Sequence, residues 1–172
     1  PYALSKIEAE HILKTFQDRV LILRLPLIIG KRPPGNLGKL IVSIQSGKHV
    51  FLKGNDAKKS VVRALDVAVF IRKWLTNEER QSGTINLCNQ IAPTFNWIEE
   101  TIAKSFDSQY RVSIPFSFIK SVILKIQRYT GVSIPLIGKI VLPLTFSDEL
   151  ARSTYNYESK ELTKEVFEND II

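Results

Sequence analysis

The sequence predicts an α/β fold with a parallel sheet and a helix-rich last third. Short β-rich apolar runs alternate with stretches of helical periodicity, the order that lays helices across a parallel sheet. Glycine and proline fall between those stretches, from Gly30 to Gly35 and at Gly47, Gly54 and Gly83, and cut the chain into elements of ordinary length. Of its 172 residues 44% are hydrophobic and 24% charged, which supplies a core and places the chain among folded domains. The length suits one domain or one and a half.

Each element follows from local chemistry. Residues 2–16 form a helix, with Ala3, Leu4, Ile7, Ala9, Ile12 and Leu13 set among polar residues. Residues 19–25 (RVLILRL) are apolar and β-rich, as a buried parallel strand is. Gly30, Pro33, Pro34 and Gly35 then mark a loop. Leu37, Leu40, Ile41 and Ile44 recur at helical spacing and predict a helix that stops near Gly47. Residues 49–52 make a brief strand, Gly54-Asn55-Asp56 a turn, and residues 60–62 another strand. A helix over 64–74 carries Asp66 in its first turn, where it is expected to cap. Gly83 leads into a strand over 84–88. Thr94 opens a helix with Glu99 and Glu100 in its early turns. Residues 111–114 read as a strand, and 116–129 as an amphipathic helix stopped by Gly131. Short helices around 135–144, 148–152 and 159–168 complete a small lid or cap.

The single cysteine, Cys88, cannot close an intrachain disulfide, so a reducing, cytoplasmic setting is expected. His11 and His49 lie far apart without ligand spacing; both are read as surface or half-buried bystanders, and no metal site is expected. No run approaches the roughly 18 apolar residues of a membrane-spanning helix, and no signal-peptide pattern opens the chain. The chain starts within a helix and lacks methionine, so a piece of a longer protein is expected.

Charge is unevenly placed. Lys31, Arg32, Lys39, Lys48, Lys53, Lys58, Lys59 and Arg63 face only Asp56 in that stretch, which accounts for the whole net charge of +7. Such a cluster points to an anion: a phosphate, a nucleic acid or a membrane surface. Phe51 is the only aromatic within it, so stacking platforms are missing and nucleic acid is not expected. Residues 116–128 set Lys120, Lys125 and Arg128 among apolar side chains, as interfacial helices do. A cap helix closing over a pocket is the favoured alternative, so a membrane is not the expected partner.

Tyr2-Ala-Leu-Ser-Lys6 puts phenol and ammonium four residues apart on one helix face. A nearby positive charge favours phenolate and lowers a tyrosine pKa from about 10. The tyrosine can then exchange a proton with an alcohol or carbonyl near neutral pH. After this pair come the run Leu23-Arg-Leu-Pro-Leu-Ile-Ile-Gly30, then residues 59–68 (KSVVRALDVA), then Gly83-Thr-Ile-Asn-Leu-Cys88 with Pro93-Thr94, and last residues 144–152 (LTFSDELAR). In that order the set resembles the C-terminal half of the extended short-chain dehydrogenase/reductases, the NAD-dependent epimerase/dehydratase family. The matching parts are the Tyr-x-x-x-Lys helix and next strand, the basic-residue strand with its Asp-x-Ala helix start, the Gly-x-aromatic-Asn strand, and a segment near the end of sugar-modifying members.

The resemblance implies the rear part of a Rossmann-type parallel sheet plus a small mixed, helix-rich substrate-binding subdomain. Residues 1–30 would be the active-site helix and its strand, 31–58 the substrate-binding loop, helix and strand, 59–88 the return to the Rossmann-type domain, and 89–172 the cap. Tyr2 would be the catalytic acid/base, and Lys6 would tune it and hold the nicotinamide ribose of NAD or NADP. Pro26 would lie beside the nicotinamide. Leu27, Gly35, Asn36 and Leu37 would approach a nucleotide-sugar, with Lys59 against its diphosphate. A lysine serves there as a point charge without arginine's fork.

Leu27 replaces the asparagine many epimerases use, which brings a 4-keto-sugar reductase of surface-polysaccharide synthesis into competition with an epimerase or dehydratase. Tyr155-Asn-Tyr157 stands where a Leu-Gly-aromatic-x-Pro is usual. The glycine-rich dinucleotide turn and the upstream Ser/Thr fall outside this sequence, so the chain alone is expected to be inactive. A homodimer through the 2–16 helix, or a non-catalytic binding remnant, are the other expectations.

Overall fold

In the computed structural model, residues 2–16, 20–79, 81–108, 112–119, 121–122 and 140–172 are described. The elements are α1 (Tyr2–Leu13) with a 3-10 turn (Lys14–Phe16), β1 (Leu21–Arg24), β2 (Leu27–Ile29), α2 (Gly35–Gln45), β3 (Val50–Lys53), β4 (Val61–Arg63), α3 (Ala64–Thr76), β5 (Gly83–Asn86), α4 (Phe95–Ser105), β6 (Val112–Pro115), α5 (Glu149–Tyr155) and α6 (Lys164–Ile171). The predicted α/β class holds, with every strand pair parallel. Among the described residues the strands form three pairs: β1 with β5, β2 with β4, and β3 with β6.

Pro26 explains part of that division. It has no N–H to give a ladder, and the apolar run through Ile29 splits around it into β1 and β2, which take different partners. The β2–β4 pair then works as a partition. Successive side chains of a strand point to opposite faces, so Leu27, Ile29 and Val61 enter one core while Ile28 and Val62 enter another. The first core gathers Leu37, Ile41 and Ile44 of α2, Ile98 and Ile102 of α4, and Phe167 and Ile171 of α6. The second joins Val67 and Phe70 of α3, Ile85 of β5, Leu87, and Ala151 and Tyr157. Burial on both faces is why these strands read as unbroken apolar runs.

Three sequence expectations are corrected. Asp66 does not cap α3; its carboxylate accepts from Arg63 Nη1 and from the Lys160 amide, and the N-cap position is Arg63. The last helix begins at Lys164 rather than near 159, because the Thr163 hydroxyl caps it by accepting from the Val166 amide, whereas the Lys160 amide and carbonyl are bonded to the Asp66 and Asn89 side chains. Of the helix expected around 135–144, the described part is helical only at Ile140 and Val141: Pro143 offers no donor, and Leu144 pairs with the strand segment at Lys58–Ser60. Residues 123–139, which hold half of the expected amphipathic helix and the start of the next one, lie outside the described residues, while 116–119 and 121–122 are helical.

Helix α1 stands apart from both cores and buries none of its side chains. A bidentate pair from Arg24 to Glu10 (2.5 and 2.9 Å) ties it to β1, and the exposure of that pair makes it a weak tether. Among the described residues no helix is long and apolar enough to cross a membrane, and no cluster of His, Cys, Asp and Glu could hold a metal ion.

Candidate functional site

Tyr2 and Lys6 share one face of α1, as their spacing requires. The Lys6 ammonium lies 5.6 Å from the centroid of the Tyr2 ring, over its face, in a cation–π arrangement. The phenol is 77% exposed, so its hydroxyl is open to a reactant. Pro26 and Leu27 sit half-buried where β1 gives way to β2.

Gly35, Asn36 and Leu37 form the first turn of α2. Gly35 takes a positive φ of 71°, which a side chain would resist. Three residues on, Gly38 lets the helix approach the loop so closely that a Cβ there would lie 2.2 Å from the Pro33 carbonyl oxygen. The Leu37 side chain is buried in the first core, so only its backbone faces the helix start, whereas Asn36 is exposed. Pro34, the N-cap residue, offers no side-chain cap, which leaves the first-turn amides to another acceptor. Beside this turn lies a cavity of about 910 Å³ whose lining includes Arg32, Lys39, Lys48, Gly35 and, on its apolar side, Ile41 and Ile171. Tyr2, Lys6, Leu27 and Lys59 do not line it.

Lys59 lies elsewhere, and it is buried. Only 3% of it is exposed. Its Nζ donates to the Leu142 carbonyl at 2.5 Å and lies 6.0 Å from the Phe95 ring centroid. Burial pushes the Lys59 ammonium below the usual lysine value, since a low dielectric disfavours the charged form. The backbone around it is pinned on both sides: the Lys59 amide donates to the Pro93 carbonyl and the Ser60 amide to the Leu144 carbonyl.

The basic stretch divides on folding. Arg63, counted among its cations, is internally neutralised. Its Nε donates to Asp170 Oδ2 at 2.5 Å, Nη2 to Asp170 Oδ1 at 3.0 Å and Nη1 to Asp66 Oδ1 at 3.1 Å. Asp170, then Asp66, holds this guanidinium above its ordinary value against the opposing effect of burial. Arg63 therefore clamps α6 to β4 rather than offering charge to a ligand. The sequence hinted at half of this, through the three-residue spacing to Asp66; Asp170, 107 residues on, leaves no local signal.

His49 is likewise more than a bystander. Its Nε2 sits 2.6 Å from Glu99 Oε1, a carboxylate with no exposure, and its ring meets Phe51 edge-on. Cys88 is buried, its thiol donates to the Phe146 carbonyl, and burial followed by Asp148 raises its pKa, so little thiolate is available.

No protein-family model and no curated protein matches the chain. Its fold is nevertheless shared with solved UDP-sugar epimerases. It is similar to the UDP-N-acetylglucosamine 4-epimerase of Bacillus cereus, at 17% identity and a TM-score of 0.65, over 98% of this chain and 52% of that one. It is similar to the UDP-glucose 4-epimerase of Thermotoga maritima with UDP-glucose, at 15% identity and a TM-score of 0.66, over 99% and 52%. A third likeness is to the UDP-glucuronic acid 4-epimerase of Bacillus cereus in complex with UDP-glucuronic acid and NAD, at 15% identity and a TM-score of 0.68, over 99% and 51%. The chain thus spans about half the length of these structures, and at such identities the likeness is one of fold. The resemblance read from the ordered motifs holds at that level: this is the C-terminal part of a Rossmann-type epimerase fold.

Proposed function

We propose that the chain is the substrate-binding half of an NAD(P)-dependent enzyme acting on nucleotide-linked sugars, as an epimerase, dehydratase or 4-keto-sugar reductase. The observation that carries this reading is the agreement of two independent lines. The motifs run in the order of the extended short-chain dehydrogenases, and the fold matches that half of UDP-sugar epimerases over nearly every residue.

In this reading residues 1–30 carry the catalytic helix and strand, 31–58 the substrate loop, helix and strand, 59–88 the return segment, and 89–172 the cap. Tyr2 holds and moves the hydroxyl proton of the sugar. Lys6 keeps positive charge at the phenol and bonds the ribose of NAD or NADP. The exposure of Tyr2 and the absence, among the described residues, of a carboxylate paired with Lys6 leave both groups available. When bound, the nicotinamide supplies or accepts the hydride. Pro26 flanks it, Leu27 and the α2 start (Gly35, Asn36, Leu37) approach the nucleotide-sugar, and Lys59 faces the diphosphate. The uncapped α2 amides suit an anionic group, because a helix N-terminus carries partial positive charge. Surface-polysaccharide sugar synthesis in the cytoplasm is the proposed setting, and the 172 residues alone are proposed to be inactive, with no dinucleotide turn among them.

Tyr2→Phe in the polypeptide that carries both halves is expected to abolish turnover and leave sugar-nucleotide binding nearly unchanged. Equal activity in the variant would sink the assignment. The exposed apolar side chains of α1 (Leu4, Ile7 and Ile12) and of the turn after it (Phe16) favour a second reading, in which the chain is a non-catalytic remnant that pairs with a copy of itself. Size-exclusion chromatography separates them, since a monomer removes the second.

A further inference from the structure

Residues 140–147 meet the Lys59 segment through their own backbone groups, which bond to backbone and to the side chains of Asn55, Lys59 and Ser60. Asn55 Nδ2 donates to the Ile140 carbonyl at 3.2 Å, Lys59 Nζ to the Leu142 carbonyl, and the Leu144 amide to the Lys58 carbonyl at 2.9 Å. The Ser60 amide returns a bond to the Leu144 carbonyl at 2.9 Å, and the Phe146 amide donates to Ser60 Oγ at 2.9 Å. The side chains contribute little. Leu142, Leu144 and Phe146 are 62%, 51% and 44% exposed, and Pro143 and Thr145 are exposed as well. None of residues 140–147 belongs to either core, so raising the segment would uncover the covered parts of Leu144 and Phe146 but withdraw no side chain from a core, and water would replace the hydrogen bonds it loses.

We propose that residues 140–147 form a strap that closes an anion site at Lys59, and that a phosphate anion binds there by displacing the Leu142 carbonyl from the Lys59 ammonium. This rests on the reading of Lys59 as the cation facing a diphosphate. As the structure stands, an anion cannot reach the ammonium, because Lys59 is buried and its Nζ is engaged by the strap. The exchange favours the anion on chemical grounds: a neutral carbonyl gives way to a charged oxygen, whose bond to an ammonium is shorter and stronger. Burial already disfavours the charge on Lys59, and an anion would relieve that cost. The strap is then a competitive gate whose hold sets the apparent affinity of the site, by the arithmetic of a closed state that must open before binding.

The test is calorimetric titration of the 172-residue chain with inorganic pyrophosphate, using wild type, Ser60→Ala and Lys59→Met. Ser60→Ala removes the Phe146 anchor without touching the ammonium, and is expected to tighten binding about fivefold, the equivalent of about 1 kcal/mol. Lys59→Met is expected to weaken it more than about tenfold. In wild type, saturating pyrophosphate is expected to speed hydrogen exchange at the Leu144 and Phe146 amides, a readout that does not depend on how the variants fold. Retained Lys59 dependence with no gain in Ser60→Ala and slower exchange at those amides would overturn the gate and leave the Lys59 reading standing. No binding, or binding indifferent to Lys59→Met, would overturn both.

Discussion

Removal of Arg63 should be the most damaging single change outside the apolar cores. Its guanidinium makes three hydrogen bonds to two carboxylates, and the side chains of Arg63, Asp66 and Asp170 are 6%, 10% and 18% exposed. In Arg63→Met, among the described residues Asp66 keeps only the Lys160 amide and Asp170 loses its counter-ion. Stranding buried carboxylates in this way costs about 3–5 kcal/mol, a large share of the roughly 5–15 kcal/mol that holds a domain together. With a urea dependence of about 2 kcal/mol per molar, the unfolding midpoint should fall by about 2 M. The added change Asp170→Leu should recover part of that loss, since an apolar pair in place of a buried ionic one is often close to neutral. The clamp account is refuted if Arg63→Met shifts the midpoint by less than about 0.5 M, or if the double variant is no more stable than the single one.

Two other outcomes concern buried aromatic groups. The Tyr157 phenol is buried, has no hydrogen-bond partner among the described residues, and is held well above its ordinary pKa by burial first, then by Asp66, Cys88 and Asp148. Its unfolded form loses a proton at about pH 10 while the folded form keeps it, so stability is intact below that pH and declines as pH rises past it. Tyr157→Phe should be close to neutral at about pH 7 and should lessen the alkaline loss; identical losses from about pH 7 to about pH 10.5 in urea titrations would contradict this. Cys88 adds a loss of the same sign, so the difference between the two proteins is what counts. Phe167, fully buried and edge-on to Trp97 at 5.4 Å, anchors α6 in the first core. Phe167→Ala should cost about 3–5 kcal/mol in the same titrations, and a cost below about 1 kcal/mol would mean that α6 is not integral to the core.

The α/β class was legible because β-rich runs, helical stripes and glycine–proline breaks alternate cleanly, and most helix starts fell within a residue or two. What stayed hidden was long-range. Nothing near Leu25-Pro26 says that the two halves of one apolar run will choose β5 and β4 as separate partners. Asp66 looked like a cap because local rules see only its helix, whereas its partners, Arg63 and the Lys160 amide, depend on where the chain returns. At the candidate site the Tyr2–Lys6 face is a matter of helix geometry and could be read directly. The burial of Lys59 could not, because residues 140–147, which cover it, contribute backbone carbonyls and amides, which every sequence possesses, and lie 83–86 residues from their partners.

The central claim is that this chain is the C-terminal half of a sugar-nucleotide oxidoreductase or epimerase. Reading the coding frame immediately upstream of the Pro1 codon tests it most directly. The account predicts a β-strand followed by Gly-x-x-Gly-x-x-Gly, with a serine or threonine shortly before Tyr2. A start codon or unrelated sequence there would contradict it and leave the binding-remnant reading in its place.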